Sequence, residues 1–233
     1  MERRKRIALY GGTFDPVHVG HLAIAQKLLE LFALDEVLFI PAHVAPHKRG
    51  AAVTPPLHRY AMLALATQGQ QALRISTVEL DAPERPYTVE TLARLQTEAG
   101  RQSRLFFVMG ADSWAEIATW REWERVLLMT DHIVVTRPGY DLSAQHVTHA
   151  IGQRLVDVRD QERDEIASRL EESAGEKIYV TDAVLMDVSA TAIRKSIGAG
   201  KDDEWPALVS EPVADYIRKY RLYRNKYETE SNG

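Results

Sequence analysis

The segment Gly11-Gly12-Thr13-Phe14-Asp15-Pro16-Val17-His18-Val19-Gly20-His21 lies between two stretches of contrasting apolar pattern. Before it, Ile7 to Tyr10 is a short apolar run typical of a buried strand, and after it, Leu22 to Phe32 has apolar residues at helical spacing. Paired glycines let backbone N–H groups approach an anion closely, and a helix N-terminus adds the positive end of a dipole. The segment therefore predicts an anion-binding turn between a strand and a helix.

Strand-like runs and helical spacing alternate along the rest of the chain, a pattern typical of a parallel sheet flanked by helices. Helices are predicted at residues 58–67, 88–99 and 213–223, and the charge-rich residues 157–172 are expected to form a solvated helix. Further strands are predicted at Val37–Ile40, Arg74–Leu80, Leu105–Met109, His132–Thr136 and Lys177–Thr181. The predicted fold class is α/β, a Rossmann-like doubly wound parallel sheet with helices on both faces.

The predicted sheet also locates a ligand site. With the common strand order 3-2-1-4-5, strands 1 and 4 are neighbours, and ligands bind in the crevice beyond their carboxyl ends. The segments that fall there are Gly11–Asp15 and Gly110–Trp114. Within the second, Asp112 is placed either to accept hydrogen bonds from ribose hydroxyls or to cap a helix.

Length and composition narrow the function classes. The 233 residues, 45% hydrophobic and 27% charged, fit one domain, 1–233, in which 183–233 forms a helical C-terminal portion. The net charge of −4 gives no overall attraction to nucleic acid or acidic membranes, and no apolar run approaches membrane-spanning length. The absence of cysteine excludes disulfides and thiolate chemistry and suits a cytoplasmic location. Whether the chain forms a homo-oligomer is left open.

Two histidines stand at the start of the first predicted helix. His18 and His21 are three residues apart, so both imidazoles can project toward the anion, with Gly20 leaving room between them. Imidazoles there can donate hydrogen bonds to phosphoryl oxygens. The required third glycine of the dinucleotide fingerprint is missing, which disfavours hydride transfer.

A second anion-binding segment lies near the other end of the chain, at Ser189-Ala190-Thr191-Ala192-Ile193-Arg194. Ser189 is a good N-cap, Thr191 offers a hydroxyl in the first turn, and Arg194 can reach a phosphate from the same helix. Taken alone, the segment is also compatible with a capped helix carrying a surface arginine.

Both segments resemble the signatures of the nucleotidyltransferase superfamily with the H-x-G-H motif. Residues 12–21 look like its first signature, and residues 189–194 look like its second, except that Ala190 replaces a common hydroxyl residue. Within the superfamily the chain is most similar to the bacterial nicotinate mononucleotide adenylyltransferases. The segments that carry this likeness are Pro46-His47-Lys48, Pro86 to Leu92, Gly110 to Ser113 and Thr119-Trp120-Arg121.

The resemblance implies that ATP and nicotinate mononucleotide react to give nicotinate adenine dinucleotide and pyrophosphate, in NAD biosynthesis. It implies catalytic roles for His18, His21, Lys48 and Arg194, and Mg²⁺ bound mainly through the substrate phosphates, with no protein ligand named. Acceptor contacts are expected from Trp120, stacking on the nicotinate ring, and from the backbone N–H groups of Tyr87 and Thr88 at a helix start. ATP contacts are expected at Gly11, Gly12, Thr13, Phe14, Gly110, Asp112, Ser189, Thr191 and Ile193.

The alternatives concern the acceptor and the class of protein. The nearest rival acceptor is nicotinamide mononucleotide. Phosphopantetheine and a cytidylyltransferase substrate such as glycerol phosphate are further rivals within the superfamily, but the length and the segments Pro86 to Leu92 and Trp120 argue against these two. A different class of protein, a nucleotide sensor that binds ATP or NAD without turnover, is disfavoured because a sensor need not retain His18, His21 and Arg194.

Overall fold

Seven parallel strands form one sheet within the described part of the chain, in a computed structural model that covers residues 3–43, 53–137, 139, 142–173, 175–182 and 188–224. The strands are β1 (Lys5–Gly12), β2 (Glu36–Pro41), β3 (Leu73–Ile75), β4 (Ser103–Gly110), β5 (Asp131–Val135), β6 (Leu155–Asp157) and β7 (Ile178–Thr181). Their order in the sheet is β3-β2-β1-β4-β5-β7-β6, and every neighbouring pair is parallel.

Helices cover both faces of this sheet. The helices are α1 (Val19–Leu31), α2 (Pro56–Ala66), α3 (Thr88–Ala99), α4 (Ala111–Ala115), α5 (Trp123–Met129), α6 (His149–Gly152), α7 (Arg163–Glu172), α8 (Ala190–Gly198) and α9 (Glu211–Lys219). Successive strand residues point to opposite faces. Ala8 and Tyr10 therefore pack with α1, α2, α7, α8 and α9, whereas Ile7 and Leu9 pack with α3 to α6. None of the helices in these segments has the length and apolarity needed to span a bilayer.

The predicted α/β class and the 3-2-1-4-5 order of the first strands are confirmed. The predicted third strand, Arg74–Leu80, is wrong beyond Ile75, because residues 77–81 form a turn in which the Asp81 N–H donates to the Thr77 carbonyl at 2.8 Å. The charge-rich helix begins at Arg163 rather than at Asp157, which ends strand β6. The C-terminal helix ends at Lys219, and Tyr223 has a φ of 68°, which turns the chain back.

Candidate active site

The glycine-rich turn lies at the carboxyl end of β1, beside the end of β4, as the strand order predicts. Phe14 has a φ of 49° and a fully buried ring that packs edge-on against Tyr10 and Phe39. This ring lies so close to Gly12 that a Cβ there would be 2.8 Å from it. Gly12 is therefore required by the packing of the turn, and Phe14 anchors the turn in the core.

His18 and His21 stack on each other at the start of α1, with ring centroids 3.7 Å apart and an interplanar angle of 24°. The His18 N–H donates to Nδ1 of His21 at 3.2 Å. Since Nδ1 accepts, the neutral His21 ring carries its proton on Nε2. Gly20 leaves room for this stack, since a Cβ at position 20 would lie in tight contact, 3.1 Å from Nδ1 of His18.

His18 is held in its neutral form. Its side chain is buried, and this burial lowers its pKa to about 4. Nδ1 is buried against Gly20 with no hydrogen-bond partner among the described residues. The other ring nitrogen, Nε2, is consequently the atom of His18 that can meet a ligand.

The second signature is brought to the first by a long-range hydrogen bond. Nη1 of Arg194, in α8, donates to the backbone carbonyl of Asp15 at 2.6 Å, across 179 residues of sequence. Ser189 is the predicted N-cap, and its Oγ accepts from the Ala192 N–H at 3.1 Å, while Thr191 Oγ1 accepts from Nη2 of Arg194 at 3.3 Å. The guanidinium therefore stands beside the glycine-rich turn with further N–H donors left for an anion.

Asp15 is the centre of a contact that the sequence did not predict. Its carboxylate is only 2% exposed; Oδ1 accepts from the Tyr223 hydroxyl at 2.7 Å, and Oδ2 accepts from the Thr54 N–H at 3.2 Å. Burial, together with the neighbouring Asp15 carboxylate, raises the pKa of Tyr223. The sequence placed Tyr223 on a helical packing face; the turn after α9 aims its hydroxyl at the site instead.

Arg59 is a second residue that sequence reasoning missed. Its side chain, on α2, is 0% exposed, and burial lowers its pKa. The guanidinium donates to three backbone carbonyls, those of Thr13 at 2.8 Å, Thr54 at 3.0 Å and His43 at 3.2 Å. It therefore ties the glycine-rich turn to the chain that leaves β2 and to the chain that enters α2.

The start of α3 follows the prediction only in part. The Tyr87 ring is 47% exposed, and the Arg121 guanidinium lies 4.6 Å from its centroid. The expectation that the Tyr87 N–H is available to an acceptor is wrong, because this N–H donates to the Glu90 carboxylate at 2.9 Å. The Thr88 N–H has no such partner among the described residues, so it can still donate to an acceptor substrate, as expected. Trp120 is half-buried and packs edge-on against Phe107, with centroids 6.3 Å apart.

The remaining predicted residues divide by exposure. Asp112 is exposed in the first turn of α4; the N-cap of that helix is Gly110, so the capping alternative for Asp112 is wrong. The side chains of Phe14 and Ile193 are buried in the core, which leaves only their backbone groups as candidates for ATP contact. Lys48 lies outside the described residues.

A cavity of about 690 Å³ lies at the opposite, amino edge of the sheet. Its lining includes Arg104 and Asp131, which form a buried ion pair of 2.7 Å, and Asp131 also accepts from the Lys177 N–H. These charges are already matched within the fold. The two histidines and Arg194 of the two signatures lie at the other, carboxyl edge of the sheet.

Comparison with known proteins agrees with this geometry. Residues 9–196 match the model of the cytidylyltransferase-like family. The chain is 35% identical, over 98% of its length and 99% of the relative's, to a Thermoanaerobacter sp. protein named "Probable nicotinate-nucleotide adenylyltransferase". A protein of the same name from Desulfatibacillum aliphaticivorans is 38% identical, over 94% of this chain and 99% of its own.

A solved structure shares the fold. The Plasmodium falciparum nicotinic acid mononucleotide adenylyltransferase complexed with NaAD superposes with a TM-score of 0.69 at 20% identity, over 94% of this chain and 97% of the other. The extent of the sequence matches, together with the two signatures meeting at one edge of the sheet, leads to one assignment. This chain belongs to the cytidylyltransferase-like family, among the nicotinate-nucleotide adenylyltransferases.

Proposed function

We propose that this protein transfers the adenylyl group of ATP to nicotinate mononucleotide, giving nicotinate adenine dinucleotide and pyrophosphate in NAD biosynthesis. The observation that carries the proposal is the hydrogen bond from Arg194 to the Asp15 carbonyl, which places the guanidinium beside the glycine-rich turn and its histidines. The relatives named above supply the substrate pair. We treat residues 1–233 as one nucleotidyltransferase domain, since α8 and α9 pack in the same core as α1 and α2.

The reaction suits a site that positions the two substrates and neutralises phosphate charge, because the acceptor itself supplies the nucleophile. A phosphate oxygen of the acceptor attacks the α-phosphorus of ATP in line, and the bond from that phosphorus to the β-phosphate oxygen breaks to release pyrophosphate. Nε2 of His18 and Nε2 of His21 are assigned to donate to phosphoryl oxygens as charge develops there. Arg194 is assigned to supply fixed positive charge, and Lys48 is assigned the same role by resemblance alone.

Mg²⁺ is the cofactor we assign, and when bound it neutralises phosphate charge. Hard cations of this kind keep several waters and are often held through substrate phosphates. The described residues include no group of three or more His, Asp or Glu side chains able to hold a metal ion, and we assign no protein ligand to it.

The acceptor is assigned to the start of α3 and to Trp120. The Thr88 N–H and the positive end of the helix dipole favour a carboxylate over a neutral amide. Trp120 would stack on the pyridine ring, which fixes the plane of the ring without distinguishing the two substituents. The Tyr87 ring and the Arg121 guanidinium beside it would border this site. A preference of at least about tenfold for the acid, roughly 1.4 kcal/mol, is a modest demand on such contacts.

An acceptor panel tests the proposal. Purified protein is mixed with ATP, Mg²⁺ and, in turn, nicotinate mononucleotide, nicotinamide mononucleotide, phosphopantetheine or glycerol phosphate, and pyrophosphate and product mass are measured. We expect turnover with nicotinate mononucleotide at least about tenfold more efficient than with its amide, and Trp120→Ala to weaken both. Equal efficiency on the two would refute the nicotinate assignment. ATP binding with no pyrophosphate from any acceptor would point to a nucleotide sensor. Cytoplasmic location and the absence of nucleic-acid and membrane partners remain predictions from the sequence.

A further inference from the structure

A chain of hydrogen bonds runs beneath the site from the glycine-rich turn to α3. Arg59 donates to the carbonyls of Thr13 and His43 at 2.8 and 3.2 Å. The N–H of His43, in turn, donates to Oε2 of Glu79 at 3.3 Å. Oε1 of Glu79 accepts in turn from the Thr91 hydroxyl at 3.0 Å. The backbone of His43 is thus held from both sides, by a guanidinium and by a carboxylate.

The groups of this hydrogen-bond chain are withdrawn from water to different degrees. Arg59 is 0% exposed, Thr91 is 3% exposed and Glu79 is half-buried, and desolvation raises the pKa of the Glu79 carboxyl. Removing a guanidinium and a carboxylate from water costs free energy unless each is hydrogen-bonded. The Arg59 guanidinium and the Glu79 carboxylate make their hydrogen bonds to backbone groups of loops and to one helix hydroxyl. Such an arrangement restricts the relative positions of the segments that it joins.

The segments joined are the two halves of the proposed site. Thr13 belongs to the turn assigned to ATP, whereas Thr91 stands one turn into α3, on the helix whose first N–H groups are assigned to the acceptor. An in-line displacement depends on the distance between attacking oxygen and phosphorus, and small misplacements reduce its rate. Resting on the proposed function, we propose that Glu79 is a positioning residue that holds the acceptor-binding start of α3 in register with the ATP-binding turn, through Thr91 on one side and His43 on the other.

The decisive variant is Thr91→Val, which removes the hydroxyl and keeps the shape of the side chain. We expect the KM for nicotinate mononucleotide to rise about fivefold, with the KM for ATP changing less than about twofold, because α3 is loosened and the ATP-binding turn stays bonded to Arg59. Thr91→Ser restores a hydroxyl and should recover most of the acceptor KM. Thr97→Val is the control on the same helix, since among the described residues the exposed Thr97 hydroxyl bonds only the Ala93 carbonyl of its own turn.

A purely structural role for Thr91 would lower thermal stability without separating the two KM values. Equal changes in both KM values, or values for Thr91→Val that match those of Thr97→Val, would overturn the proposal. If Thr91→Val does not fold, the same comparison with Glu79→Gln decides, and the same separation of KM values is expected. A parent protein with no turnover on nicotinate mononucleotide would remove the proposed function itself, and the positioning role with it.

Discussion

Tyr223→Phe should reveal how strongly the end of the described chain stabilises the site. The Tyr223 hydroxyl donates to Oδ1 of Asp15 at 2.7 Å across 208 residues of sequence, and the same Asp15 offers its carbonyl to Arg194. Phenylalanine keeps the ring and removes the hydroxyl, which also contacts the Thr54 side chain and lies 4.0 Å from the Met62 sulfur. The buried Asp15 carboxylate then keeps the Thr54 N–H on its other oxygen.

The expected loss follows from the charge and burial of the acceptor. A hydrogen bond to a charged group contributes about 1.5–3 kcal/mol, and a buried oxygen left without its donor bears the desolvation cost. With Asp15 2% exposed, water cannot replace the lost donor without rearrangement. We expect the free energy of unfolding to fall by about 2 kcal/mol and the Tm to fall by roughly 6 °C for a chain of this size.

Urea denaturation followed by circular dichroism measures this loss, with a thermal melt as a second measurement. Tyr220→Phe is the matched control, because the Tyr220 ring is 49% exposed and its hydroxyl makes no hydrogen bond within the described residues. The control should change the free energy of unfolding by less than about 0.5 kcal/mol. If the two variants proved equally stable, the Tyr223–Asp15 contact would contribute nothing to stability.

Two further predictions concern the residues assigned to phosphate. His18→Ala should reduce turnover about 100-fold, while unfolding changes little. Burial lowers the pKa of His18 to about 4, below the usual value near 6.5, so the ring stays neutral from pH 6 to 8. The rate of the parent protein should therefore show no titration of His18 in this range. A rate that rose on acidification through pH 6.5 would mean that a protonated histidine is needed. Arg194→Lys should raise the KM for ATP, since a point charge does not reproduce a planar fork of donors. An unchanged dependence of the rate on ATP concentration would mean that Arg194 is a surface cation with no contact to ATP.

Much of the fold could be predicted because it depends on local patterns. Helix α3 occupies Thr88–Ala99 as predicted and ends at Gly100, whose φ of 66° is the left-handed conformation that glycine adopts readily. The sequence prediction missed β6 and extended β3 too far. Both are three-residue strands, and they lie at the two edges of the sheet. So short an edge strand has too few alternations for a periodic signal, and its pairing depends on a neighbour far away in sequence.

The candidate site divides in the same way. His18, His21 and Ser189 could be found from sequence because helix starts and glycine-rich turns have local signatures, and Ser189 caps its helix as predicted. The partners of Asp15 and Arg59 could not be found, because a side chain that bonds groups far away in sequence leaves no spacing rule. The occupied Tyr87 N–H was missed for a local reason, since Glu90 three residues later is the acidic partner that favours such a contact.

His18, which is assigned to contact phosphate, differs in charge from the side chains that pack beneath the glycine-rich turn. This difference supports a mechanism in which the site positions the two substrates. His18 is neutral and presents a ring nitrogen, whereas Asp15 and Arg59 are buried and Glu79 is half-buried. These three side chains direct their hydrogen bonds at loop backbone, the start of α3 or the C-terminal turn. Charges used in this way hold the loops without presenting a carboxylate to an incoming anion. A site that supplied a nucleophile would need one such group turned toward the substrate and activated by a base. The arrangement here instead restrains the turn, the helix and the C-terminal segment that must align two phosphates. We therefore expect variants of Asp15, Arg59 and Glu79 to change KM values and turnover by shifting these segments.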